Sequence, residues 1–190
     1  MKNTWNCLAC ACLVSASACA EDGFGKEEPV KAETGTGAPF ISALSLGYGW
    51  AHNDTDIYRA AVRHDPGYQW LSNPTGWMSL YYEASMNLWK SGGDEIYAAA
   101  FSPVFIYYFG KPENKVRPYV EAGIGAAGIS KTEMGNRQFS TGYQFEDRVG
   151  AGVQIKNLDL CCRYMHYSNA SIKEPNDGID IVMVALGYRL

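Results

Sequence analysis

Charge is scarce in this chain of 190 residues. Asp, Glu, Lys and Arg make up 19% of it, against roughly 25% in an ordinary soluble domain. The formal net charge of −4 leaves no excess of cations, so the basic footprint of a nucleic-acid-binding protein is missing. Beyond the N-terminus there is no run of 18 apolar residues, which argues against membrane-spanning helices. No segment carries a 3.6-residue apolar stripe, and no repeat period appears, so helical bundles and solenoids fit poorly. No CxxC spacing offers a metal site.

What the chain has instead is apolar and aromatic. It is 47% hydrophobic and 13% aromatic, with 13 Tyr and 20 Gly. The hydrophobic fraction excludes wholesale disorder, and the length suits one domain. Many short strands with aromatic ends would produce such a composition.

The first twenty residues read as an address. Lys2 gives a positive start, Trp5 to Val14 is mostly apolar, and Ala18-Cys19-Ala20 is a small-x-small cleavage site. A secretory signal over 1–20 is expected, then a flexible acidic leader over 21–38, then one domain over 39–190. Four of the six cysteines (Cys7, Cys10, Cys12, Cys19) leave with the signal. Cys161 and Cys162 remain. As neighbours on a strand they point to opposite faces, so no disulfide framework is expected.

From Pro39 onward the pattern has period two, broken by Gly, Asn, Asp and Pro clusters. Eight segments stand out, at 40–51, 55–65, 76–90, 94–109, 115–130, 137–155, 158–168 and 179–190. Asn53-Asp54, Ser91-Gly92-Gly93 and Lys156-Asn157 mark turns. Leu158, Leu160, Cys162 and Tyr164 share one face of the seventh segment, opposite Asp159, Cys161 and Arg163. Val182, Val184, Leu186, Tyr188 and Leu190 form an apolar face on the last, opposite Ala185, Gly187 and Arg189. Eight exported strands of about ten residues fit an all-β fold, an eight-stranded antiparallel transmembrane barrel of the outer membrane. Its interior is filled by side chains. Alternation alone also allows the inverse, a soluble lipocalin-like barrel with its apolar face inside.

Near the C-terminus the apolar face of the seventh segment turns polar, at His166 and Ser168. Residues at i and i+2 share a face, roughly 7 Å apart at Cα, so an imidazole could serve a hydroxyl as general base. A third group must orient the ring. Asp180 opens the last segment with the parity of Val182, and antiparallel pairing brings it beside His166. Asp147 competes for that role. If Lys156-Asn157 is a two-residue turn, Asp147 lies opposite His166 and Phe145 opposite Ser168. The loop between the last two segments carries Pro175-Asn176-Asp177-Gly178, whose side chains and N–H groups could stabilise an oxyanion.

These residues resemble a known family. Phe145-Glu146-Asp147-Arg148-Val149-Gly150-Ala151-Gly152, His166-Tyr167-Ser168-Asn169-Ala170 and Lys173-Glu174-Pro175-Asn176-Asp177-Gly178-Ile179 look like signatures of the PagL family of outer-membrane lipid A 3-O-deacylases. Ser102-Pro103-Val104-Phe105 and Pro118 to Gly125 add to the likeness, which is dense from 94 to 190. The resemblance implies a lipid-facing Ser-His-Glu triad on an eight-stranded barrel, near the outer leaflet. His166 and Ser168 take the first two catalytic places. Asp180 stands where the family has Glu, one methylene shorter. Asn176 and the loop amides near Ala170 and Ser171 correspond to the oxyanion region, and Ser171 replaces a common glycine.

The implied activity is ester hydrolysis of the 3-linked acyl chain of lipid A, the substrate lipopolysaccharide lying in the outer leaflet of a Gram-negative bacterium. No cofactor and no metal are called for, and a homodimer is compatible. Three rival readings stand beside it: a non-enzymatic structural or adhesive barrel, another lipid-active barrel (a calcium-dependent phospholipase or an acyltransferase), and the soluble carrier. The first needs no outward cluster of His, Ser and acid.

Overall fold

The structure, a computed structural model, describes residues 30–31, 40–52 and 54–190. The signal over 1–20 and most of the leader over 21–38 lie outside the described residues. Eight strands run in chain order: β1 Ala43–Ala51, β2 Thr55–His64, β3 Gly76–Ser91, β4 Asp94–Phe109, β5 Val116–Ile129, β6 Tyr143–Ile155, β7 Leu158–Ser168 and β8 Ile179–Arg189. Each pairs antiparallel with its neighbours in sequence, and β8 pairs antiparallel with β1. The sheet therefore closes into an eight-stranded barrel and its main edges disappear.

Two details depart from the periodicity reading. The segment expected over 137–155 begins as a strand only at Tyr143, and Arg137–Gln138 pairs instead with Glu133–Met134 in a small separate hairpin. Between β2 and β3 a further short strand, Tyr68–Asn73, pairs with the start of β3 and with Val30–Lys31. Pro66, Gly67 and Pro74 flank it, and those turn signals hid it among loop residues.

The first strand begins and the last ends at one rim, where Leu190 N–H donates to the Ser42 carbonyl at 3.0 Å. The opposite rim bears the long loops 130–142 and 169–178, while the connection 65–75, with its short strand, lies at the first rim. Long loops mark the extracellular rim of such barrels, and short turns the periplasmic one.

The strands alternate as the period-two pattern requires, and the polarity decides which face is which. On β7, Asp159, Cys161, Arg163, Met165 and Tyr167 are buried, whereas Leu158, Leu160 and Tyr164 are exposed. Leu44, Leu46, Phe101, Phe105, Val149, Val184 and Leu186 continue that exposed apolar face around the barrel. A soluble carrier would bury this face and expose the charges. Here the charges are inside, and this excludes the lipocalin-like reading.

Among the described residues the buried charges are four cations (Arg59, Arg63, Arg148, Arg163) and four anions (Glu83, Glu121, Glu146, Asp159). Their formal charges cancel, the condition under which burying them is affordable. Glu83 receives Arg59 at 2.8 Å, Arg148 at 2.7 Å and Arg63 at 3.0 Å. Arg59 also reaches both oxygens of Glu146, at 2.9 and 3.1 Å, and Arg163 Nε meets Glu121 at 2.6 Å. An apolar layer built on Trp89, Phe139, Met165, Tyr167, Ile181 and Met183 packs beside this network. A smaller one on Tyr81, Val104, Ile106 and Tyr119 packs against it too, and Arg63 lies over the Tyr81 ring. Small residues make the room. A Cβ on Gly152 would stand 2.5 Å from the Tyr119 ring.

Candidate active site

The turn at Lys156-Asn157 sets the register of β6 against β7. Ile155 pairs with Leu158, and the ladder then runs to Asp147 opposite His166 and Phe145 opposite Ser168, as a two-residue turn requires. On the other side of β7, His166 pairs with Asp180. Asp147, His166 and Asp180 therefore form one cross-strand row on the outer face, below the long-loop rim, with Ser168 two residues further along β7.

Only one of the two aspartates bonds the imidazole. His166 Nδ1 and Asp180 Oδ1 are 2.8 Å apart. Asp147 is half-buried, and among the described residues no hydrogen bond joins it to His166. Asp180 stands directly opposite His166 in the ladder, where a short side chain reaches the ring. The bond at Nδ1 leaves Nε2 as the imidazole nitrogen available to a hydroxyl. Ser168 lies two residues along on the same face, and its hydroxyl makes no hydrogen bond among the described residues. Hydrogen bonds between nucleophile and base are often open in the absence of substrate.

The sequence reading missed one partner of this row. Tyr164 Oη donates to Asp180 Oδ1 at 2.7 Å. Its parity placed it on the outer face, two residues before His166, and that spacing was the available signal.

The loop 169–178 is tied down at both ends. Asn169, fully buried, donates through Nδ2 to the carbonyls of Phe139 and Lys173, both at 2.8 Å. Its N–H donates to Asn176 Oδ1 at 3.1 Å. With its carbonyl oxygen so engaged, Asn176 makes no hydrogen bond through its NH₂ group among the described residues. Ala170 and Ser171 both sit in the left-handed region, with φ of 52° and 60°. That conformation is uncommon for residues with a Cβ, and their N–H groups have no acceptor among the described residues. The second long loop clamps the first: Gln138 N–H donates to Asp177 Oδ2 at 2.7 Å, Ser140 Oγ to the Pro175 carbonyl at 2.6 Å, and Arg137 Nη1 to the Gly178 carbonyl at 2.8 Å. Gly178 in turn packs on the imidazole. A Cβ there would lie 3.1 Å from His166 Cε1, and φ is +59°.

An outward His-carboxylate pair beside a serine, on the lipid-facing wall of a closed barrel, is a rare combination, and known proteins share the frame around it. The family model for the lipid A 3-O-deacylase PagL matches residues 56–189. The chain belongs to the PagL family. The lipid A deacylase PagL of Pseudomonas aeruginosa is 39% identical over 127 residues, which cover 65% of this chain and 72% of that protein. PagL of Bordetella bronchiseptica is 33% identical over 164 residues, or 82% of this chain and 88% of that one. The crystal structure of the outer-membrane enzyme PagL matches with a TM-score of 0.75 at 32% identity, covering 78% of this chain and 100% of the other. Like that PagL, this protein is an outer-membrane β-barrel.

Proposed function

We propose that this protein is a lipid A 3-O-deacylase, a serine esterase whose triad is Ser168, His166 and Asp180. The hydrogen bond from His166 Nδ1 to Asp180, made on the outer wall beside Ser168, carries the reading. In the first half-reaction Ser168 Oγ attacks the carbonyl carbon of the 3-linked acyl ester while His166 Nε2 takes the hydroxyl proton. The bond to the sugar oxygen then breaks, and His166 returns the proton to that oxygen. The acyl chain stays on Ser168. In the second half-reaction water adds to the acyl-serine with His166 again as base, the bond from the acyl carbon to Ser168 Oγ breaks as His166 returns the proton to that oxygen, and the free fatty acid leaves. Asp180 holds the ring in the tautomer that presents Nε2 and balances the imidazolium. The Asn176 NH₂ group, with the N–H groups of Ala170 and Ser171, is the donor set proposed for the tetrahedral oxyanion.

The lipid-facing position suits a substrate in the outer leaflet. The lipid A of lipopolysaccharide reaches Ser168 by lateral diffusion, so its acyl chains never leave an apolar medium. The clustering of His166, Ser168 and Asp180 favours this reading over a non-enzymatic barrel, in which nothing would hold the three together. Incubating the purified barrel with lipid A in detergent tests it. Free fatty acid and a lipid A product lacking one ester-linked chain are expected, and Ser168→Ala abolishes both. Release of fatty acid from glycerophospholipids and not from lipid A would transfer the protein to the phospholipase reading.

A further inference from the structure

We propose that Tyr164 is a positioning residue for the hydrolysis, its phenol holding the short Asp180 side chain against His166. The inference rests on the triad reading above. Oδ1 of Asp180 is the meeting point of two hydrogen bonds, one with His166 Nδ1 at 2.8 Å and one from Tyr164 Oη at 2.7 Å. The three side chains lie on one face: Tyr164 pairs with Val182 across the β7–β8 ladder, and Asp180 is two residues beyond Val182. The phenol therefore reaches Asp180 along the diagonal, a span that suits a long aromatic side chain.

The chemistry gives this contact a purpose. The side chain of Asp180 is exposed, at 61% of its full area, on the outer wall next to the rim that bears loop 169–178. With His166 as its one partner the carboxylate could turn about two bonds and leave the ring. A second donor on the same oxygen removes that freedom. It also shares the anion's charge. Tyr164 itself gives no proton to the reaction and has no need to touch the ester. A longer carboxylate would carry its oxygens past this meeting point and depend less on the phenol.

The test is a set of steady-state measurements on lipid A in detergent, with the wild type, Tyr164→Phe, Asp180→Glu, the double variant and Asp180→Asn. Tyr164→Phe keeps the ring and removes only the hydroxyl. It is expected to lower kcat about tenfold, the scale of one lost hydrogen bond to a charged group, with KM unchanged. In the Asp180→Glu background the same change is expected to cost less than about threefold. Folding is checked by the shift in gel mobility on heating, and Tyr164→Leu supplies a second hydroxyl-free variant should Tyr164→Phe fold poorly. An unchanged kcat for Tyr164→Phe, an equal loss in both backgrounds, or a loss confined to KM would each overturn the positioning role. Wild-type turnover by Asp180→Asn is the separate result that would overturn the triad reading itself.

Discussion

Two carboxylates flank His166, and their different geometries assign them different roles. Asp180 accepts the imidazole N–H, whereas Asp147, paired with His166 across the β6–β7 ladder, makes no such bond. Loss of the orienting acid of a triad costs about 10⁴ in turnover. Asp180→Asn is therefore expected to be nearly silent, and Asp147→Asn to keep substantial activity, as read by fatty acid release. His166→Asn removes the base and is expected to abolish turnover while the barrel stays folded, because its side chain lies outside the packed interior. Asp180→Glu keeps a carboxylate opposite His166 and is expected to remain active. A silent Asp147→Asn beside an active Asp180→Asn would move the acid to the other strand. Much of this row was legible beforehand: parity put His166, Ser168, Asp147 and Asp180 on one face, and a two-residue turn set the register. The hydroxyl of Tyr164 was not legible, because period two says which face a side chain takes and not which neighbour it bonds.

At the level of elements, the eight strands follow from alternation, and the errors fall where alternation stops. Between Arg137–Gln138 and β6 only a single glycine, Gly142, breaks the chain, so the segment read as part of that strand. In fact it folds back on Glu133–Met134 and hands Arg137 and Gln138 to the neighbouring loop. This clamp could not be seen in the sequence, since it joins two loops some forty residues apart through side chain and backbone. Gly178 is the point where the clamp reaches the chemistry. Gly178→Val forces a β-branched residue into a left-handed turn and presses on His166. It is expected to lower kcat at least tenfold while the barrel remains intact, as judged by circular dichroism. A fully active Gly178→Val protein would show that loop 169–178 can shift without disturbing the imidazole.

For the whole molecule, the inside and the outside have exchanged their usual roles. The apolar wall faces lipid, and stability depends on an interior whose four cations and four anions balance. Glu83 ties Arg59, Arg63 and Arg148 together, with side-chain accessibility of 0%. The small face of the last segment, at Ala185 and Gly187, left room for charged side chains inside, but their partners could not be read from it, because they join residues on strands distant in sequence. Glu83→Ala removes a carboxylate shared by four guanidinium groups, Arg163 being the fourth at 3.6 Å. It is expected to cost about 3–5 kcal/mol in a denaturant titration of the detergent-folded barrel. A midpoint within error of the wild type would mean that water or neighbouring carboxylates take over the charge. Because this network lies inside and the proposed catalytic row outside, stability and activity should be separable by mutation.

Mass spectrometry of lipid A from a Gram-negative host tests the central claim most directly, comparing cells that express the wild type, the Ser168→Ala protein and neither. The wild type is predicted to shift lipid A down by the mass of one ester-linked acyl chain, replaced by hydrogen, with the loss mapped to the 3-position. The Ser168→Ala protein is predicted to reach the outer membrane in equal amount and leave lipid A unchanged. Unmodified lipid A in cells with the folded wild-type barrel, or the same mass shift from Ser168→Ala, would contradict the account.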